Sequence, residues 1–317
     1  MNKNLLYVVL ALALGSGAWF TWQRNQKKST LDKLDLNFSV PDTSSIDKIV
    51  ITQQGGSPFE MERQKDRSWS LNKKYKVAPV LMDVLLSTIR NIEMQRPLAK
   101  NEKKTVEEAM KTRHRKVEIF VGGEIYKTYF LGDDAPENKG TYIRFENGDP
   151  YVAHIRGFTG FLTPRYNVTE NEWRDRLLFA STPASIQSVE IKYTKSPSDN
   201  FKVGFTGRHF FLEGAERFDT NATATLLLQF KQVYIERYIV DFTKNEQDSL
   251  LKSGHEWSLD LVDIDKSKSN TLWIYQTSDA DRSLAYLPKT KEWATIQNRN
   301  LNPVRLKRHQ LLGGQIQ

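Results

Sequence analysis

The chain has no cysteine among its 317 residues. That excludes thiolate zinc sites and iron–sulfur clusters, and leaves the redox compartment open, since a thiol-free chain suits either. Histidine is scarce. His114, His154, His209, His255 and His309 show no ligand-like spacing between any two, and His255-Glu256 lacks the second histidine a zincin helix needs. Phosphate cradles are missing too. Gly157 with Gly160, and Gly204 with Gly207, have the wrong spacing and lack both the lysine of a P-loop and a strand–turn–helix frame. There is no nucleophile elbow, and no cofactor is expected.

Acid is absent at the amino end, where nothing acidic precedes Asp32. Of the net charge of +8, Lys3, Arg24, Lys27 and Lys28 supply four, so the rest of the chain carries only about +4. Spread over so many residues, that is a contribution to solubility and a poor footprint for phosphate, so no nucleic-acid partner is expected. The basic run from Lys111 to Lys116 reads as the solvated side of a short helix.

What is present begins with a greasy stretch. No residue from Asn4 to Gln23 is charged, and the run that opens at Leu5 and ends at Trp22 is almost continuously apolar. As a helix it would be about 27 Å long, close to the ~30 Å of a hydrocarbon layer. Trp19 and Trp22 suit the membrane–water boundary. Residues 1–22 are therefore expected to be a membrane anchor, with a signal peptide cut after Ala18 as the alternative. Charge bias around this run leans toward a cytoplasmic body by itself. Residues 23–44 are polar and read as a tether.

Beyond the tether the chain repeats itself. Ser45-Ile46-Asp47-Lys48-Ile49-Val50-Ile51 returns as Ser185-Ile186-Gln187-Ser188-Val189-Glu190-Ile191, and later segments keep step: Trp69-Ser70-Leu71 with Phe210-Phe211-Leu212, Ala153 and Ile155 with Ala294 and Ile296. Two domain-sized copies mean a tandem duplication, not a solenoid. The first is expected over 45–182, with an inter-repeat segment at 156–182, and the second over 183–312.

Period-2 alternation at Ile49, Ile51, Phe59, Met61, Trp69 and Leu71 predicts an antiparallel meander, with turns at Gly55-Gly56 and Asp66-Arg67. Helical spacing follows from Val80 to Ile92 with Pro79 in the first turn, the run closing at Arg96. Capping boxes at Thr105-Val106-Glu107-Glu108 and Thr243-Lys244-Asn245-Glu246 each open a short second helix. Four strands complete each copy. The fold class is α+β: a duplicated β-β-β-α-α-β-β-β-β unit with antiparallel sheets, preceded by one transmembrane helix. The end from Asn298 onward is expected to fray.

The inter-repeat segment is the strongest candidate for an interaction site. It gathers Phe158, Phe161, Arg165, Tyr166, Trp173 and Arg174, residue types that dominate protein interfaces; the alternative is that they staple the structure internally. Asp133-Asp134 and the Asp260, Asp263, Asp265 set are the best carboxylate clusters. An envelope hydrolase would need two such acids converging in a pocket. A carbohydrate- or peptide-binding module would instead show an aromatic platform without titratable partners.

Gly140-Thr141-Tyr142, Pro150-Tyr151-Val152-Ala153-His154-Ile155, Gly157-Phe158, Gly160-Phe161-Leu162, Arg165-Tyr166 and Trp173-Arg174-Asp175-Arg176, with the opening Ile46-Asp47-Lys48-Ile49 and Trp69-Ser70-Leu71-Asn72, occur in this order. Together they resemble the bacterial family called domain of unknown function 4340, in its Bacteroidetes-type form. The resemblance implies a membrane-anchored envelope protein with its body in the periplasm, against the weak charge bias. It implies a non-enzymatic role beside envelope or membrane proteins, such as an ABC-transporter complex of the gliding-motility-associated kind, and no catalytic residues.

Overall fold

The computed structural model describes residues 37–313 apart from 139, 167–168 and 208. The chain divides into two compact units, one ending at Arg174 and the other beginning at Asp175. This boundary falls inside the expected inter-repeat segment, not at 182/183.

In the first unit the strands are β1 (Ile46–Gln53), β2 (Pro58–Arg63), β3 (Trp69–Leu71), β4 (Tyr75–Lys76), β5 (Ile92–Pro97), β6 (Arg115–Val121), β7 (Glu124–Asp134), β8 (Thr141–Arg144) and β9 (Tyr151–Ile155). They form one nine-stranded sheet in the order β4-β3-β2-β1-β6-β7-β8-β9-β5. The turns follow local chemistry. Gly122 and Gly123 both take positive φ, which lets two residues reverse the chain between Val121 and Glu124.

Side chains on successive strand residues face opposite ways, so each sheet can carry two cores. On one face Ile49, Ile119, Leu131, Ile143 and Ala153 pack with Met82, Leu85 and Ile89 of helix α1 (Pro79–Asn91). Burying each of those three helix side chains is worth roughly 1.5–3 kcal/mol. On the other face Phe130, Tyr142 and Val152 pack with Val106 and Met110 of helix α2 (Lys100–Thr112). A last helical turn, α3 (Glu170–Trp173), opens with a Thr169–Glu172 capping box.

The second unit contains β10 (Leu177–Phe179), β11 (Ile186–Tyr193), β12 (Phe201–Thr206), β13 (His209–Leu212), β14 (Val233–Tyr234), β15 (Arg237–Ile239), β16 (Trp257–Asp263), β17 (Asn270–Tyr275), β18 (Arg282–Leu287) and β19 (Glu292–Gln297). Its eight-stranded sheet runs β13-β12-β11-β16-β17-β18-β19-β15, and β10 pairs separately with β14. With β4 set aside, the first sheet has the same order, strand for strand. Helix α4 (Thr220–Leu228) supplies Leu226 and Leu227 to the larger core, where they meet Val189, Leu261, Ile274, Ala285 and Ala294. Helix α5 (Lys244–Ser253) belongs to the opposite face.

Several expectations are corrected. The two expected helices of each copy are not consecutive: α1 stops at Asn91, and Ile92–Pro97 becomes β5, pairing with β9. Ile92 satisfies both the helical and the strand period, and the residue before Pro97 disfavours helix. In the second unit the helical run likewise ends before β14 and β15. Thr105 caps nothing. It lies inside α2, with its hydroxyl turned back to the Asn101 carbonyl. Thr243 does cap α5, in a full capping box with Glu246. Asn298 onward is not frayed within the described residues: α6 (Asn298–Leu301), α7 (Arg308–Leu311) and the segment between them bury Leu301, Leu311 and Val304 in the larger core.

The part of the expected tether that is described, residues 37–44, packs in part against the first unit. Phe38 and Val40 are buried in the first unit, where Phe38 stacks on Phe145 at 4.4 Å. The expected anchor, residues 5–22, lies outside the described residues. Among the described residues no helix is long and apolar enough to cross a membrane.

Candidate functional site

The six aromatic and arginine residues singled out from the sequence all belong to the first unit. Trp173 is buried, and its carbonyl accepts from the Ala78 N–H at the start of α1. Tyr166 is buried with its hydroxyl 3.0 Å from that of Tyr129, and burial pushes both phenols above their usual range. Arg174 is 5% exposed, its guanidinium 3.8 Å from the Tyr75 ring, and it bridges to Val77. These three are stapled inside one unit, which takes them off any surface. Phe161 is half-buried. Phe158 is exposed, with the Arg165 guanidinium 4.4 Å over its ring, and Arg165 also donates to Thr88 on α1 at 3.0 Å. Of the six, only Phe158 and Arg165 together form a surface feature.

The carboxylate clusters do not converge. Asp133 pairs with Arg113 at 3.0 Å, while Asp134 accepts from the hydroxyls of Thr141 and Thr163. Burial raises the pKa of Asp134. A cavity of about 180 Å³ beside Arg113, His114 and Arg115 is lined by Asp133 and not by Asp134. Asp263 is buried and accepts from Ser185 and from the Asp265 N–H. Among the described residues no group of three histidines or carboxylates is placed to hold a metal.

A different constellation stands out on the second sheet. Alternation along β17, β18 and β19 turns Trp273, Tyr275, Leu284, Tyr286 and Trp293 to the face opposite Ile274, Ala285 and Ala294. Register then lines up Trp273, Tyr286 and Trp293 on three adjacent strands. Their ring centroids lie 5.5 and 4.8 Å apart, Tyr275 lies 5.1 Å from Trp293, and His255 stacks on Trp273 at 5.0 Å. Burial lowers the pKa of His255, which favours the neutral imidazole, and raises that of Tyr275, which keeps its phenol protonated. Trp293 is 2% exposed and Tyr275 4% exposed; the Nε1 of the first and the hydroxyl of the second have no hydrogen-bond partner among the described residues.

The cover over this face is thin. No side chain of α5 is fully buried; Leu250 and the preceding Phe242 only lean on the rings. Side-chain hydrogen bonds of α5 stay local: Thr243 with Glu246, Gln247 to the Phe242 carbonyl, Ser253 to the Leu250 carbonyl. Its counterpart α2 is held much harder. It buries Val106 and Met110, and its Glu102 accepts from Arg96 on β5 and from the Tyr142 hydroxyl on β8. In the sequence, only the period-2 spacing of Trp273 and Tyr275 could have marked this face.

The molecule is thus an α+β protein built of antiparallel sheets with a helix on each face. Residues 106–254 match the family model described as a domain of unknown function, DUF4340, which supports the family resemblance read from the sequence. The match runs from α2 in the first unit to the end of α5 in the second. No curated protein and no solved structure matches the chain.

Proposed function

We propose that the protein is a non-enzymatic interaction module of the bacterial envelope and that its working surface is the aromatic face of the second unit. One observation carries this reading. The same face of the first sheet is sealed by Val106, Met110 and the Glu102–Arg96–Tyr142 network, whereas in the second it holds four aromatic rings under a lightly attached helix. The matching strand order supports a tandem duplication, after which one copy kept a closed face and the other diverged. Large aromatic side chains bury much area and retain polar handles, which suits recognition.

In this reading residues 5–22 anchor the chain in the cytoplasmic membrane with the body in the periplasm. Its partners are envelope or membrane proteins, an ABC-transporter complex among them, as the family resemblance implies. Phe158 and Arg165 form a second, smaller contact point. Photo-crosslinking in intact cells from Leu251, a 37% exposed residue on α5, tests the reading. Reproducible crosslinks to one envelope component, diminished by Trp273→Ala, are expected; a pattern identical to that from a crosslinker at exposed Ile125 of the first unit would overturn it.

A further inference from the structure

Two hydrogen-bonding groups in the aromatic cluster have no partner among the described residues. The Trp293 indole N–H can only donate, while the Tyr275 hydroxyl can donate or accept, and both are more than nine-tenths buried. Buried polar atoms in folded proteins nearly always have partners, so each exception calls for an explanation. Both belong to rings in contact with each other, at 5.1 Å between centroids, beneath α5, which buries no side chain of its own.

We infer that the face formed by Trp273, Tyr275, Tyr286 and Trp293 is a saccharide-binding site, with α5 as the lid that opens over it. The inference rests on the reading of this face as the working surface and adds the chemistry of what it holds. A pyranose ring offers an apolar C–H face to an aromatic ring and a rim of hydroxyls to donors and acceptors. The face supplies both: three rings in cross-strand register, plus an indole N–H and a phenol within the same cluster. Ligand sites are built in just this proportion, mostly apolar with a few placed polar groups.

The alternative of an extended peptide fits less well. Such peptides commonly add a strand at an open sheet edge, where main-chain groups are available. The three strands that carry the rings are all internal: β17 lies between β16 and β18, β18 between β17 and β19, and β19 between β18 and β15. Their main chains are committed to one another, so recognition falls to side-chain faces. The lid follows from packing. α5 is joined to the sheet through half-buried Leu250 and Phe242, and its side chains bond only within their own segment, so lifting it breaks little.

The test uses the full-length protein titrated with chitotriose and with maltotriose, read by tryptophan emission and by calorimetry. We expect at least one trisaccharide to bind and shift the emission. Tyr275→Phe, which keeps the ring and removes only the unpartnered hydroxyl, should weaken binding about 5- to 10-fold and leave the melting temperature unchanged or higher. Trp293→Phe serves as the second variant, with a similar loss of affinity. Hydrogen exchange should show the amides of α5 opening at least about tenfold more readily than those of α2. Silence from both sugars at about 10 mM, or full affinity in Tyr275→Phe, overturns the inference. So does binding of a Trp- and Pro-rich decapeptide in place of the sugars. If crosslinks from Leu251 persist while the sugars stay silent, the interaction reading survives and the ligand class alone is wrong.

Discussion

Single residues carry more of the first unit's stability than their place in a linking segment would suggest. Trp173 is 2% exposed in the larger core of that unit, and its carbonyl anchors the start of α1. Trp173→Ala should therefore cost about 3–5 kcal/mol, seen as a lowered urea midpoint, and any loss of partner capture in that variant would follow from unfolding. Arg165→Ala is the contrasting case. It removes a ring contact with exposed Phe158 and one bond to Thr88, so a loss within about 1 kcal/mol is expected. Gly140 is held by backbone. At φ +118°, a Cβ there would collide with the Ala153 carbonyl oxygen, which cannot yield as a side-chain tip could. Gly140→Ala is expected to destabilise by about 2–4 kcal/mol in the same assay.

At the scale of elements, each unit fastens a sheet edge with a glutamate. Glu102 is lowered from 4.5 to about 2 chiefly by its hydrogen bonds with Arg96, against the opposing effect of burial and with help from Tyr142. Glu236, beside β15, is lowered to about 2 chiefly by Arg282, with Gln297 adding to it. Folded, both stay charged down to about pH 2; unfolded, they take up protons near 4.5. Their contribution is complete above pH 4.5 and is lost as pH falls toward 2. Because Arg96 and Arg282 are 40% and 45% exposed, the effect is modest. Glu102→Gln and Glu236→Gln should each flatten the acid limb of stability between pH 5 and 2, measured by urea midpoints; unchanged limbs would count against these pairs.

Elements also show where sequence reading reaches its limit. Ile46 to Ile51 and Ile186 to Ile191 declare themselves as strands because alternation has one solution there. The strand β5 does not, since Ile92 sits where both periods place an apolar residue and Arg96 looks like a helix end. Thr105 and Thr243 carry the same cap-like pattern; only the second is a cap, because α2 begins five residues earlier, at Lys100. The aromatic face was half legible. Spacing tells that Trp273 and Tyr275 share a side, but how lightly a helix covers that side is a matter of packing. Likewise Tyr166, Trp173 and Arg174 have the composition of an interface and the burial of a core.

For the molecule as a whole, two separate larger cores, one on each side of the 174/175 boundary, predict two folding units. Calorimetry should resolve two transitions or a broadened one, with Trp173→Ala lowering only the component assigned to the first unit. A single sharp transition shifted as a whole by that substitution would mean the units melt as one.

Phe38 lies with its ring against Phe145 and Tyr129, while Lys127 grips the carbonyls of Asn37 and Ser39 and Val40 is tied to Ile89. Any tension arriving along the chain from the amino end meets this clasp before it reaches a β-ladder. In the anchored reading proposed above, such a pull would break the contacts at residues 37–40 first and leave the strand pairings of the first sheet in place.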